Sequence, residues 1–311
     1  GDVQVVPLGV PGFVSEQAGV DGTIVTDSRV RPVLQKRSAN THKGTFGHLL
    51  VVAGVLGKTG AAAMVGQSAM RSGCGLVTIA TTANAQTTLE SKCLEVMVDH
   101  ILERADAPIS DKVSKRMTRL LEEKQAVAIG PGLSTASGIS ALVIRMLQML
   151  EVPAVVDADG INILAKDPSG AGRISAPMVF TPHPGEMARL LNKSVPNIQA
   201  DRVGAAREAA KWHQVVVVLK GANTDNAAPD AQIFNNPTRN PGKAYGGKCD
   251  VLTDIIGSLL AQKIAPRDAA LLGVSLHGLA GDRAAERQSI TGLIASDVMD
   301  EIPRILKDWS V

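Results

Sequence analysis

Residues 49–72 read LLVVAGVLGKTGAAAMVGQSAMRS and join an apolar run, a glycine-rich turn and an alanine-rich stretch. The run Leu49–Ala53 contains no polar residue, which is typical of a strand buried on both faces of a parallel sheet. Residues 54–60 carry the glycines that mark a turn, and residues 61–72 have helical period. This unit predicts a strand that leads through a tight loop into a helix packed on the sheet.

The same unit recurs along the chain, and no internal repeat of the solenoid or propeller type accompanies it. Strands are predicted at Leu49–Ala53, Val77–Ala80, Ala126–Ile129, Ala154–Val156, Met178–Phe180 and Val215–Leu219, and helices at Ala61–Ser72, Ser137–Leu150, Asp201–Trp212 and Val251–Gln262. Because most of the strand segments are apolar throughout, the predicted fold class is α/β: a three-layer α/β/α sandwich with a mostly parallel central sheet.

The composition argues against several classes of protein. The chain has 311 residues, 45% hydrophobic and 20% charged, with a net charge of +2, so it reads as a globular protein and not as a disordered chain. It has no basic block, and aromatic residues make up only 2%, so neither nucleic acid nor a membrane surface is an expected partner. No apolar stretch approaches the roughly 18 residues of a membrane span.

The three cysteines, Cys74, Cys93 and Cys249, form no CxxC pair and do not read as a disulfide framework. A reducing, cytoplasmic setting is therefore expected. Residues 1–30, with a short strand predicted at Val3–Val6, read as a lead-in to a main domain at residues 31–311. The first residue is Gly1, which leaves open a processed protein, an engineered start or a piece of a longer polypeptide.

Two glycine-containing loops follow predicted strands and are candidates for ligand contact. Residues 54–60 do not satisfy GxxxxGK[ST], so a Walker phosphate loop is excluded. The loop is either a ligand-binding turn or a simple strand-to-helix connection. The segment Gly130-Pro131-Gly132 either permits close approach of backbone to a ligand or is only a tight turn.

Two further segments carry polar groups at strand ends. His183 lies between two prolines in Thr181–Glu186, where it either bonds to a ligand or occupies a rigid surface turn. Residues 242–250 place glycines before an apolar helix predicted to begin at Val251, which favours an anion site at the helix N-terminus. Asp250 is there either an N-cap or a base toward a substrate hydroxyl. The loop Lys220–Thr224 follows another strand and supports a nucleotide role.

Taken in order, these motifs resemble the NAD(P)H-hydrate dehydratase family, which has a ribokinase-like fold and repairs hydrated nicotinamide cofactors. The resemblance covers roughly residues 40–306, and the ordered set is more specific than any one motif. Its segments are 42–48 (HKGTFGH), 71–76 (RSGCGL), 130–132 (GPG), 157–159 (DAD), 181–186 (TPHPGE), 220–224 (KGANT), 236–238 (NPT) and 277–282 (HGLAGD).

The resemblance implies a site, its ligands and its chemistry. The hydrated dinucleotide is contacted by Ala61, Gly132, His183 and Asp250; the adenine nucleotide by Lys220, Gly221, Ala222, Asn223, Thr224, Gly247, Lys248 and Cys249. Asp250 is the implied catalytic residue, ADP or ATP with Mg²⁺ is the implied co-substrate, and no side chain is assigned to the metal. In this family a nucleotide phosphoryl group passes to the hydroxyl of the hydrate, and phosphate then leaves as the ring double bond re-forms. A homo-oligomer is expected.

Val3–Gly12 also resembles the tail of the epimerase domain that precedes the dehydratase in two-domain members. The chain is therefore expected to be the C-terminal part of a bifunctional enzyme, with a fused epimerase domain as its partner.

The loop at residues 246–250 departs from the family pattern. The family has Gly-Gly-Thr-Gly-Asp, whereas this chain has Gly-Gly-Lys-Cys-Asp, and Arg239 also replaces a glycine. A side chain at Cys249 is expected to crowd the phosphoryl group or to strain the backbone, whereas Lys248 adds a compensating charge. Reduced turnover with retained cofactor binding is therefore predicted. The alternatives are a small-molecule kinase of the same fold, such as a vitamin-precursor kinase, or a nucleotide-binding protein without catalysis.

Overall fold

The computed structural model describes residues 22–34, 37–38, 40–167, 174–221, 223–237 and 248–309, together with residues 9, 11 and 14. This part of the chain forms one ten-stranded sheet. Its strands are β1 (Thr23–Ile24), β2 (His48–Val52), β3 (Leu76–Thr82), β4 (Met97–Leu102), β5 (Ala126–Ile129), β6 (Ala154–Val156), β7 (Met178–Phe180), β8 (Val216–Leu219), β9 (Thr224–Ala227) and β10 (Ile233–Asn236). The order across the sheet is β1-β10-β9-β8-β7-β6-β5-β2-β3-β4.

Every neighbouring pair is parallel except the two that involve β9, so the sheet is mostly parallel, as predicted. The helices in the described residues are α1 (Asp27–Val30), α2 (Thr59–Arg71), α3 (Ala83–Glu90), α4 (Asp111–Leu121), α5 (Ser137–Met149), α6 (Ala158–Lys166), α7 (Pro184–Leu190), α8 (Val195–Ala200), α9 (Arg202–His213), α10 (Lys248–Ala261), α11 (Pro266–Arg287) and α12 (Ala295–Trp309). None of them is long and apolar enough to cross a bilayer.

The helices cover both faces of the sheet because the central strands are apolar on both faces. Leu49 and Val51 pack into one core with α2, α10, α11 and α12, and Leu50 and Val52 pack into the other with α4 to α9. All four of these side chains are fully buried. The predicted three-layer sandwich is therefore confirmed.

The six predicted strands and four predicted helices are present, with ends shifted by up to three residues. The largest shift is at α10, which begins at Lys248 and not at Val251. Asp250 is therefore inside the first turn of this helix and is not its N-cap. An α-helix is right-handed, so Cys249 adopts a backbone that any residue tolerates, and the predicted strain from a positive φ does not arise there.

Part of the predicted lead-in joins this sheet. Strand β1 pairs with β10, and Val25 and Val30 are buried in the core on the α10 side. The predicted strand Val3–Val6 lies outside the described residues, and the domain boundary at residue 30 stays a prediction.

The order of the strands reverses between β2 and β5. The chain runs from β2 outward to β3 and β4, then returns to pair β5 with the other side of β2 and continues outward through β6, β7 and β8. The helices that follow β2 and β5 pack on opposite faces of the sheet. In open α/β sheets such a switch point is where ligands bind.

Candidate active site

The loops after β2 and β5 meet edge to edge at the switch point. Gly54 N donates to Pro131 O at 2.9 Å, and Val55 N donates to Gly132 O at 3.0 Å. Gly130 has φ 134°, and a Cβ there would lie 1.8 Å from Asp157 O. A glycine is therefore required at position 130 for the loop to pass this closely over the end of β6.

Ala61 and Gly132 lie side by side, as the sequence predicts for two residues that contact one ligand. A Cβ added to Gly132 would stand 3.1 Å from Ala61 Cβ and 2.9 Å from Lys58 O. Gly132 also has φ 64°, a conformation that disfavours side chains. Two small residues therefore stand where α2 passes the β5 loop, at the switch point where a ligand crevice is expected.

His183 stands at the end of β7 as the N-cap of α7. Its Nδ1 accepts hydrogen bonds from Gly185 N at 2.9 Å and Glu186 N at 3.3 Å, and Pro184 occupies the first turn. In the neutral ring the proton is therefore on Nε2, which lies 3.2 Å from Glu186 Oε1. The side chain is 46% exposed, so the ring edge is available to a ligand while its orientation is fixed.

Glu186 is buried behind His183. Its Oε2 accepts a hydrogen bond from His183 N at 2.8 Å and lies 3.9 Å from Lys220 Nζ. Burial raises the pKa of Glu186 to about 7, although the Lys220 charge opposes the shift. Burial, followed by the charges of Lys220 and Arg189, lowers the pKa of His183. At neutral pH His183 is therefore a neutral imidazole whose Nε2 faces Glu186 Oε1.

A buried ion pair connects the ends of β6 and β8. Lys220 Nζ lies 2.6 Å from Asp157 Oδ1, and the two side chains are 9% and 0% exposed. Asp157 Oδ2 accepts a hydrogen bond from Thr253 Oγ1 at 2.6 Å. Thr253 belongs to α10, the helix that carries Asp250. Asp157 therefore ties α10 to the strand ends around His183.

Asp157, Glu186 and Thr253 were not assigned roles by the sequence analysis. Asp157 and Glu186 lie in motifs that carried the resemblance, and a carboxylate directly after a buried strand was the available signal for Asp157. Thr253, inside an apolar helix, gave no signal of its own.

The Lys220–Thr224 segment forms the short connection between the antiparallel strands β8 and β9. Arg202 braces it, since its Nη2 donates to Leu219 O and Asn223 O, both at 3.0 Å, while Nε donates to Asp225 Oδ2 at 2.9 Å. A cavity of about 560 Å³ opens beside Asn223 and Arg202. The Lys220 ammonium contacts Asp157, and among the described residues of this segment Asn223 is the one that lines the cavity.

Five of the predicted site residues cannot be located further. Ala222 and Gly247 lie outside the described residues, and for Lys248, Cys249 and Asp250 only the helical backbone is described. Their roles, with the roles of Ala61, Gly132, His183 and Lys220, stay predictions.

The side chains near the strand ends indicate how the protein could bind the implied Mg²⁺ ion. In the described ranges, no group of three or more His, Cys, Asp and Glu side chains is arranged to hold a metal ion. Mg²⁺ that accompanies a nucleotide is coordinated largely by phosphates and water, with one or two carboxylates. The side chains described at the strand ends are compatible with an ion delivered with the nucleotide.

The sheet order and the antiparallel connection after β8 are those of a ribokinase-like protein, and structural comparison agrees. A ribokinase-like superfamily protein from Enterococcus faecalis has a TM-score of 0.80 at 24% identity, over 93% of this chain and 97% of that one, which shows the shared fold. The family model for NAD(P)H-hydrate dehydratase matches residues 49–304. This chain belongs to that family, and the predicted fold and family are confirmed.

Individual relatives agree with this assignment. The bifunctional NAD(P)H-hydrate repair enzyme Nnr of Moorella thermoacetica is 40% identical over 308 residues, 99% of this chain but 58% of that protein. The ADP-dependent (S)-NAD(P)H-hydrate dehydratase of Neisseria meningitidis is 37% identical over 88% of this chain and 89% of its own length. The ADP/ATP-dependent NAD(P)H-hydrate dehydratase of Bacillus subtilis, co-crystallized with ATP/Mg²⁺, has a TM-score of 0.79 at 32% identity, covering 93% and 99%.

Proposed function

We propose that this chain dehydrates hydrated NADH and NADPH in a reaction driven by ADP or ATP with Mg²⁺. The observations that support the proposal are the adjacency of Ala61 and Gly132 at the switch point and the fixed imidazole of His183 at the end of β7, in a chain that belongs to the dehydratase family. Two small residues and one fixed imidazole suit a ring that carries a carboxamide and a hydroxyl. The names of the relatives supply the substrate class.

The chemistry divides between two sides of the crevice. Hydroxide is a poor leaving group, and the nucleotide supplies the phosphoryl group that converts the hydroxyl into a good one. Asp250 takes the hydroxyl proton as the new P–O bond forms and the nucleotide P–O bond breaks. The ring C–O bond then breaks, phosphate departs, and loss of a ring C–H proton restores the double bond. His183 contacts the ring with the exposed edge of its imidazole, which Glu186 holds in place at Nε2.

Backbone N–H groups at the start of α10 stabilise the transferring phosphoryl group. They act through preorganised partial charge at a helix N-terminus, which needs no reorganisation during the reaction. The hydrogen bond from Thr253 to Asp157 fixes the first turns of this helix against the sheet. The helix start is thereby held in one position relative to His183.

The test is recovery of dihydronicotinamide absorbance from hydrated NADH. Purified protein is supplied with Mg²⁺ and either ADP or ATP, and with no nucleotide as the control. Nucleotide-dependent recovery is expected. A folded protein that neither restores the absorbance nor binds a nucleotide would refute the proposal.

A second candidate is a nucleotide-binding protein without catalysis, which the replacement of Thr and Gly by Lys248 and Cys249 favours. Nucleotide binding by calorimetry, combined with no absorbance recovery at any nucleotide concentration, would support this candidate over the first.

We also propose that this chain is part of a larger, bifunctional protein. The chain spans 58% of the Moorella relative, whose name is bifunctional. A fused epimerase domain that supplies the substrate epimer fits this relation. A cytoplasmic homo-oligomer remains the expected assembly.

A further inference from the structure

A chain of four polar side chains crosses the rim of the crevice from α2 to α7. Lys58 Nζ lies 3.3 Å from Asp159 Oδ2, and Asn162 Nδ2 lies 3.5 Å from Asp159 Oδ1. Arg189 Nε then donates to Asn162 Oδ1 at 2.7 Å. Lys58, Asp159, Asn162 and Arg189, here called the rim network, therefore connect the three helices that follow β2, β6 and β7.

Both cationic ends of the rim network stand beside residues proposed to contact the substrate. Lys58 is adjacent to Gly132, since a Cβ on Gly132 would lie 3.2 Å from Lys58 Cβ. Arg189 folds back along α7, and its Nη1 lies 4.0 Å from the position of a Cβ on Gly185, in the turn that begins with His183. The rim network thus runs between the Gly132 side and the His183 side of the crevice.

Asp159 and Asn162, the middle members of the rim network, bind the two cationic side chains. Asp159 Oδ2 also accepts a hydrogen bond from Ser134 N at 2.6 Å, so both of its oxygens have donors. Lys58 is 52% exposed, and Arg189 forms no ion pair with any carboxylate among the described residues. The charge that faces solvent at this rim is therefore positive.

The proposed substrate is a dinucleotide whose two halves are joined by a pyrophosphate, with one more phosphate in the NADP form. Arg matches phosphate oxygens with a planar fork, and Lys adds a compact charge. We infer that Lys58 and Arg189 bind the phosphates of the hydrated dinucleotide, and that Asp159 and Asn162 position them. This inference rests on the proposed function and names the part of the substrate that these residues recognise.

The test compares Lys58→Met and Arg189→Met with the wild type. Binding of NADP⁺, as an unreactive dinucleotide, is measured by calorimetry at several salt concentrations. A charge-assisted contact to phosphate predicts a dissociation constant raised about tenfold or more, with a shallower salt dependence. With hydrated NADPH, KM should rise by a similar factor while kcat stays near the wild-type value, because the phosphates are remote from the reacting ring.

Matched controls separate this role from others. Lys193→Met removes an exposed lysine that is ion-paired with Glu208, beyond the far end of α7, and should leave NADP⁺ binding unchanged. Lys58→Arg keeps the charge and should retain most of the affinity. The dissociation constant of ATP should be unchanged in both test variants, and an increase there would reassign the cations to the nucleotide and overturn the inference.

The outcomes distinguish the inference from the proposed function. Wild-type turnover combined with NADP⁺ binding within twofold of wild type in both variants would overturn the inference and leave the function standing. NADP⁺ binding that weakens in the variants, in a protein without dehydratase activity, would support the inference and refute the function. Failure of the wild type to bind NADP⁺ would overturn the inference.

Discussion

Replacing Lys220 by Met should destabilise the fold strongly, because it removes the cation from a buried ion pair. Lys220 Nζ lies 2.6 Å from Asp157 Oδ1 and also faces Glu186. The Asp157 side chain is fully buried, so water cannot replace the lost partner. Thr253 still donates one hydrogen bond to Asp157 but supplies no positive charge.

Removing one partner of a buried pair costs about 3–5 kcal/mol, because a charge is left buried without compensation. Unfolding entropy is about 2.1 cal/mol/K per residue, so for 311 residues this loss lowers Tm by about 5–8 °C. Lys193→Met, at the exposed pair with Glu208, should cost less than about 1 kcal/mol.

The measurement is denaturant unfolding at pH 8, with thermal melts as a second probe. The double variant Asp157→Asn with Lys220→Met removes both charges and should recover part of the loss, which a double-mutant cycle quantifies. A Lys220→Met protein within about 1 kcal/mol of wild type, or a double variant no more stable than Lys220→Met, would show that the pair does not hold the strand ends together.

Three further changes test the site. Asp250→Asn should lower the single-turnover rate of absorbance recovery by a factor of about 10² to 10⁴. Calorimetry should find the ATP affinity nearly unchanged. Equal rates in the variant and the wild type would remove Asp250 from the mechanism. Cys249→Gly should raise that rate, and the double variant Cys249→Gly with Lys248→Thr should raise it further. The gain should reach about 10² to 10³ if one backbone N–H donor to the phosphoryl group is restored. No gain in either variant would contradict crowding by Cys249. Burial raises the pKa of Glu186 from 4.5 to about 7, so its contribution to stability is present below pH 4.5 and is lost as pH rises toward 7. Glu186→Gln should therefore gain stability relative to wild type between pH 5 and pH 8 in denaturant unfolding, and a pH-independent difference would contradict the raised pKa.

The central strands could be predicted because each is apolar on both faces and short. Strand β4 was missed because Asp99 and His100 interrupt its apolar pattern, and both are half-buried in contact with Arg116 at the sheet edge. Strands β9 and β10 were missed for a similar reason, since buried Asp225 and Asn226 make β9 read as a polar loop. Edge and hairpin strands carry polar residues whose partners only the fold supplies.

The candidate site could be predicted in part. Glycines and a histidine at strand ends marked the loops that carry Gly132 and His183, because parallel strands end at one edge. The ligand roles of Ala61, Gly132 and His183 came from the family resemblance and stay predictions. The ion pair between Asp157 and Lys220 could not be predicted, since the residues are 63 positions apart. Their contact depends on β7 lying between β6 and β8, which no local pattern specifies.

The position of that pair explains why so much charge is buried at one edge of the sheet. Asp157, at the end of β6, accepts from Thr253 on α10 and from Lys220, and Lys220 in turn faces the Glu186 carboxylate that holds His183. Buried charges are weak contributors to stability, since hydrophobic side chains of similar volume do as well or better. In this protein the buried charges connect α10, the helix proposed to stabilise the transferring phosphoryl group, with His183, the residue proposed to hold the ring. A reaction that moves a phosphoryl group between two ligands needs their separation fixed, because catalysis of this kind depends mainly on positioning. The buried chain from Thr253 to His183 provides that fixed separation.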